Sequence, residues 1–114
     1  MYDLERRLLD FSKRLLLYIR DNRIEYINRN IIDQVLRSGT SIGANYHEAN
    51  WANGKKDFAN KIHICKKEAK ETFYWLELLQ SVLKIYSPEL QELINEAKEI
   101  MYIFNTIAKK VKTY

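Results

Sequence analysis

The chain has 114 residues, 46% hydrophobic and 30% charged, a composition that excludes a disordered segment and is long enough to bury a core without disulfides or metals. Three glycines and one proline leave little punctuation for a many-turned β fold, so long helices in one domain spanning residues 1–114 are expected. Nineteen Lys and Arg against 15 Asp and Glu give a net charge of +4, a mild basic excess compatible with nucleic acid but not diagnostic of it.

The N-terminal stretch MYDLERRLLDF carries acidic residues early and no long apolar run, which argues against a signal peptide. No segment approaches the roughly 18 apolar residues of a membrane span. A lone cysteine, Cys65, suits a reducing compartment, so a cytoplasmic protein is expected.

In chain order, Leu4, Leu8, Phe11, Leu15 and Tyr18 step by four and three, predicting a first helix over residues 3–21. A connection follows through RIEYINRN. Ile32, Val35, Gly39, Ile42, Tyr46 and Ala49 predict a second helix, capped by Asn28 or Asn30 and ending near Ala52, where Asn53-Gly54 supplies a left-handed stop.

The third helix is the most regular, with Phe58, Ile62, Cys65, Ala69, Thr72, Leu76, Leu79 and Leu83 in heptad spacing between Lys55 and about Tyr86. It is a rod of about 45 Å at 1.5 Å per residue. Ser87-Pro88 then reads as a cap with proline at the first helical position. Leu90, Leu93, Ala97, Ile100, Phe104, Ile107 and Val111 form the seam of the fourth helix. Four amphipathic helices with short connections predict an all-α, antiparallel up-and-down four-helix bundle.

The stretch SGTSIGANYHEAN, residues 38–50, invites a search for chemistry. Gly39 and Gly43 are too close for a phosphate loop of the GxxxxGK[ST] kind, and Ala44-Asn45 stands where Lys-Ser/Thr is required. His47-Glu48 resembles the start of a zinc helix, but Trp51 occupies the position of the second imidazole. No di-iron pattern fits either, because Ala44 and Asn60 stand three residues before His47 and His63. No nucleophile–base pair stands out. The reading is therefore not an enzyme, with no catalytic residue, no metal and no cofactor.

What remains is helix. Gly39 and Gly43 each cost about 1 kcal/mol of helix propensity relative to Ala, so a close-packed neighbour is expected to offset them. Cys65, Ala69 and Thr72 of the third helix are the expected neighbours. Beside them, Gln34, Arg37, Ser38, Ser41, Asn45 and Glu48 form a polar stripe. It reads either as a solvated face or as a part-buried structural network of Arg37, Ser41, Asn45, Glu48 and Glu71, in which Glu48 or Glu71 pairs with Arg37.

The first half of the third helix is polar around its seam, at Asn60, Lys61, Lys66, Lys67, Glu68 and Lys70. Its second half is apolar nearly all round. Phe73, Tyr74, Trp75, Leu78, Val82, Ile85 and Tyr86 lie off the seam, a pattern expected of a homo-oligomer interface. Lysines gather elsewhere. Lys55, Lys56, Lys61, Lys66, Lys67 and Lys70 lie early in the third helix, and Lys109, Lys110 and Lys112 late in the fourth. Antiparallel packing would merge them into one basic end able to neutralise phosphates; a merely solubilising surface is the alternative.

The order SIGAN-x-x-EA, then Asp57-Phe58, then KEA-x-ET-x-YWL resembles a bacterial family of four-helix bundles encoded in intervening sequences of 23S ribosomal RNA genes, sometimes called S23-like. The resemblance runs from Asp3 to about Lys112 and rests on Arg37, Ser41, Asn45, Glu48, Phe58, Glu71 and Leu76. Where many relatives carry Ala-Glu-Gly and Gly-Ser, this chain has His47-Glu48-Ala49 and Lys67-Glu68.

The resemblance implies a pentamer. It also implies nucleic acid (RNA or DNA) and a reverse transcriptase as partners, because related proteins are accessory factors of diversity-generating retroelements. It assigns no catalytic residue. A scaffolding oligomer that binds protein and no nucleic acid is the alternative function.

Overall fold

In the computed structural model, residues 3–22, 28–83 and 87–113 are described. Four helices follow in chain order: α1 (Leu4–Asp21), α2 (Arg29–Asn50), α3 (Gly54–Leu83) and α4 (Pro88–Lys110). They form the expected antiparallel bundle, its long dimension of 45 Å matching the length of α3. The chain passes around the bundle, so α2 packs on α1 and α3, and α4 packs on α3 and closes against α1. None of these helices is long and apolar enough to cross a membrane.

Local chemistry sets the ends. Asp3 accepts from the Arg6 amide at 2.8 Å and starts α1. At the other end the Asn22 amide and side chain both donate to the Tyr18 carbonyl. Ser87 accepts from the Leu90 amide at 3.2 Å, with Pro88 in the first turn of α4. Asn28 occupies the cap of α2, but its side chain makes no capping hydrogen bond, contrary to expectation.

The second helix also ends two residues earlier than its sequence suggests. The Trp51 amide bonds to Glu48 and the Ala52 amide to Ala49, three residues back, and these tight turns close the helix. Gly54, at φ +90°, then reverses the chain into α3.

The heptad seams are the core. Leu8, Phe11, Leu15, Val35, Ile42, Ile62, Leu76, Leu79, Leu90, Ile100 and Phe104 are all essentially inaccessible. Each such side chain contributes about 1.5–3 kcal/mol by leaving water. Leu4, Phe58, Leu83, Ile107 and Val111, at the ends of the seams, are only partly buried against it.

The two helical glycines approach α1 more than α3. A Cβ on Gly39 would run into Leu15 Cδ1 and lie 3.6 Å from Thr72 Cγ2. One on Gly43 would meet Leu8 Cβ at 3.4 Å and the Leu8 carbonyl oxygen at 3.6 Å. Of the three expected neighbours on α3, Thr72 is among the nearest side chains to Gly39, and the Cys65 thiol lies 3.5 Å from the Ile42 carbonyl, beside Gly43.

Candidate nucleic-acid interface

The polar stripe of α2 divides into separate contacts. Arg37 Nη1 reaches both carboxylate oxygens of Glu68 at 3.2 Å, Nη2 donates to Glu71 at 2.6 Å, and Nε donates to Gln34 at 3.1 Å. Burial works against the guanidinium, yet the hydrogen bond it donates to Glu71 and the charge of Glu68 outweigh it and hold its pKa above the ordinary arginine value. Glu68 is the departure from expectation: it belongs to the buried side of α3, not to the polar exterior.

Below this group, Ser38 donates to the Gln34 carbonyl and stands 2.9 Å from the Thr72 hydroxyl, which lies 2.7 Å from the Glu68 carbonyl. Both hydroxyl residues are wholly buried. Asn45 instead donates to the Ser41 carbonyl within its own helix, so that pair is not joined to Arg37. Glu48 is not the partner of Arg37 either. It pairs with Lys61 Nζ at 2.8 Å, and that hydrogen bond raises the Lys61 pKa.

The lysines do not form one patch. Lys55, Lys110 and Lys112 line a cleft of about 760 Å³ where α3 begins and α4 ends, with Ala49, Asn50, Ala52, Gly54, Phe58 and Val111 as its other walls. The antiparallel run of α3 and α4 brings these two ends of the chain's lysine clusters together, and no acidic side chain is among the described residues that line the cleft. Lys56 and Lys109, adjacent in sequence to this cleft's lysines, are exposed.

Lys66, Lys67 and Lys70 lie elsewhere, around a shallower depression with His63 and Glu71. Lys66 is about 17 Å further along α3 than Lys55 at the helical rise. Here the positive charge faces Glu71, and Lys61 between the two patches is engaged by Glu48. The basic surface is thus two patches with a neutralised gap.

The expected interface on the second half of α3 is partly consumed by the chain itself. Phe73 and Trp75 pack against the core, and Leu78 is half-buried. Tyr74 stays 59% exposed with its ring edge-on to Trp75 at 5.0 Å, and Val82 is 38% exposed. Tyr86 and Ile85 lie outside the described residues. Leu9, Leu16 and Leu17 of α1 are each about half exposed, an apolar surface that the heptad count passed over. The doublet Leu8-Leu9 and the triplet Leu15-Leu16-Leu17 were its signal, since only one member of each can face the core.

Residues with nucleophilic or metal-binding chemistry are engaged or enclosed. Cys65 is fully buried, its thiol 3.5 Å from the Ile42 carbonyl, and burial pushes its pKa up to about 12. His47 Nδ1 is bonded to Glu5, which also accepts from Asn50 at 3.0 Å. His63 Nε2 is buried without a hydrogen-bond partner among the described residues. No group of three or more potential metal ligands occurs among those residues.

Comparison with known proteins places this geometry. Residues 7–106 match the family described as 23S rRNA-intervening sequence protein. The chain is also similar to a protein of unknown function from the S23 ribosomal protein family of Bacteroides thetaiotaomicron VPI-5482, whose crystal structure was determined at 1.70 Å resolution. The two are 37% identical, the alignment covers 92% of this chain and 91% of the other, and the TM-score is 0.64. No curated protein matches the sequence.

Proposed function

The chain belongs to the family of 23S rRNA-intervening sequence proteins, and on that footing we propose that it is a non-enzymatic, self-associating bundle that binds nucleic acid through its basic surface. The observation that carries this reading is the meeting of Lys55, Lys110 and Lys112 around one cleft, with no acidic side chain among its described lining residues. Lysine is a point charge that neutralises phosphate without reading sequence, so such a surface favours affinity over specificity. Lys66, Lys67 and Lys70 form a second, weaker contact, because Glu71 offsets part of their field. The enclosed Cys65 thiol and the paired His47 support binding over catalysis.

Titration of a labelled RNA at several salt concentrations tests the proposal. Affinity should fall steeply with salt, and the double substitution Lys55→Glu/Lys110→Glu should weaken it while lowering the slope of log K against log salt. Binding indifferent to salt, or to this substitution, would remove the basic end from the function.

A second reading, a protein-binding scaffold, is favoured by the exposed Leu9, Leu16 and Leu17 on α1. Self-association through α1 and the Tyr74–Val82 face of α3 accounts for them equally. Light scattering separates the two. A multimer that dissociates on Leu9→Glu/Leu16→Glu assigns α1 to self-association, and a wild-type monomer at micromolar concentration leaves the surface to another protein.

A further inference from the structure

Trp51 adds little buried surface to the bundle. It caps the C-terminus of α2 and is 78% exposed, whereas tryptophan is on average highly buried. Its neighbours in sequence, Asn50 and Ala52, both line the cleft that Lys55, Lys110 and Lys112 share. Backbone hydrogen bonds from the Trp51 and Ala52 amides hold the chain in tight turns there, so an exposed indole stands between two residues of the cleft wall. Ala49, Phe58 and Val111 supply the cleft's apolar walls, and the charged side chains among its described lining residues are lysines.

We infer that Trp51 is a stacking platform for an unpaired nucleobase of single-stranded nucleic acid, whose flanking phosphates are held by Lys55, Lys110 and Lys112. The inference rests on the nucleic-acid reading above and narrows it to strands with exposed bases. In a duplex the base faces are already stacked on one another, so an indole has nothing to cover without unstacking a step. In a loop, bulge or free end, the face of any base is available, and stacking on an aromatic ring tolerates all sequences. Lysine adds no base discrimination, so the site selects strandedness and not sequence. Neither indole nor ammonium distinguishes ribose from deoxyribose, and the ligand is single-stranded DNA or RNA alike.

The test uses fluorescence anisotropy on the full chain with a 12-residue oligo-dT, a 12-residue oligo-U and a hairpin duplex, all at low salt. Intrinsic tryptophan emission is followed in parallel. Both single strands should bind more tightly than the duplex and quench emission, and Trp51→Phe should remove the quench while retaining most affinity. Trp51→Ala should weaken single-strand binding about 5- to 100-fold, the range expected for one lost base stack, with an unchanged salt slope. Lys55→Glu/Lys110→Glu should keep the quench at saturation and reduce the slope by about 0.7 per lysine.

Binding of one single strand in preference to both the other strand and the duplex would support the stacking but overturn the indifference to the kind of strand. Full affinity in Trp51→Ala, or equal affinity for the duplex, overturns the stacking while leaving the basic end in place if the lysine variant is weakened. Absence of binding to all three overturns both. Displacement of the oligonucleotide by polyglutamate of equal charge at equal concentration overturns the inference in favour of an acidic protein partner.

Discussion

Gly39 on α2 and Leu15 on α1 occupy one space: the Cβ that Gly39 lacks would coincide with the volume filled by Leu15 Cδ1. Leu15 is 1% exposed and walled by other core residues, so it has little room to turn aside. Gly43, one turn later, leaves an added methyl at ordinary contact distance from Leu8. The two substitutions to alanine therefore have opposite signs. Gly39→Ala should destabilise by about 1–3 kcal/mol through overpacking, reduced by the better helix propensity of alanine. Gly43→Ala should be neutral or stabilise by up to about 1 kcal/mol. Urea denaturation of both variants measures the difference, and equal effects would contradict the asymmetry of the packing.

Arg7 joins α1 to α4 by a two-pronged contact, Nε to Glu96 at 2.6 Å and Nη2 to Glu96 at 2.7 Å, with a further bond to Glu99 at 2.9 Å. The hydrogen bond to Glu96 is the main cause holding the guanidinium pKa above its ordinary value, against some loss from burial. Arg7→Ala would leave the mostly buried Glu96 carboxylate without this partner and should cost about 1–3 kcal/mol. Arg7→Lys should recover only part of that, because an ammonium cannot make the paired contact. An unchanged denaturation midpoint in Arg7→Ala would show that the bridge contributes nothing.

The Glu5 carboxylate ties α1 to the end of α2, and its hydrogen bond with His47, followed by that with Asn50, lowers its pKa below the usual 4.5. A lowered carboxylate pKa contributes stability above the unfolded-state value and loses it as pH falls through the folded value. Glu5→Gln should therefore lower the melting temperature at neutral pH, with the gap to wild type closing as pH drops below about 4.5. A gap that persists unchanged at acid pH would mean that the charge of Glu5 is not what matters. The Glu5 side chain is partly exposed, so salt should shrink the effect.

Cys65 should behave as a core residue. With its thiol pKa pushed up to about 12 by burial, almost no thiolate exists at pH 8. A disulfide reagent such as DTNB should label it only as fast as the bundle opens, and denaturant should release one equivalent rapidly. Immediate labelling of the native protein would contradict the packing of α2 against α3 at this position.

The sequence was most legible where one side chain decides one local event. Ser87-Pro88 started α4, Gly54 turned the chain at φ +90°, and the four-and-three spacing named the core of every helix. Its failures share a cause. Glu68 reads as one more polar residue between lysines, and only the rotation of α3 against α2 brings it beneath Arg37. Glu48 shares the stripe with Arg37 but lies about 17 Å further along the same helix, out of its reach, and pairs with Lys61 of α3 instead. Leu9 and Leu16 sit beside true core leucines, and composition cannot say which of two adjacent leucines turns inward.

For the basic surface, sequence determined which lysines cluster along each helix and that antiparallel helices must bring the start of α3 near the end of α4. That much follows from helical rise and chain direction alone. Tertiary structure decided which of those charges share a space. Lys55, Lys110 and Lys112 surround one cleft, Lys66, Lys67 and Lys70 face Glu71 three turns away, and Lys61 is held by Glu48. Periodicity assigns a residue to a face of its own helix. The rotation and tilt of that helix against its neighbours, set by packing around Leu15, Gly39 and Thr72, decides what the face meets.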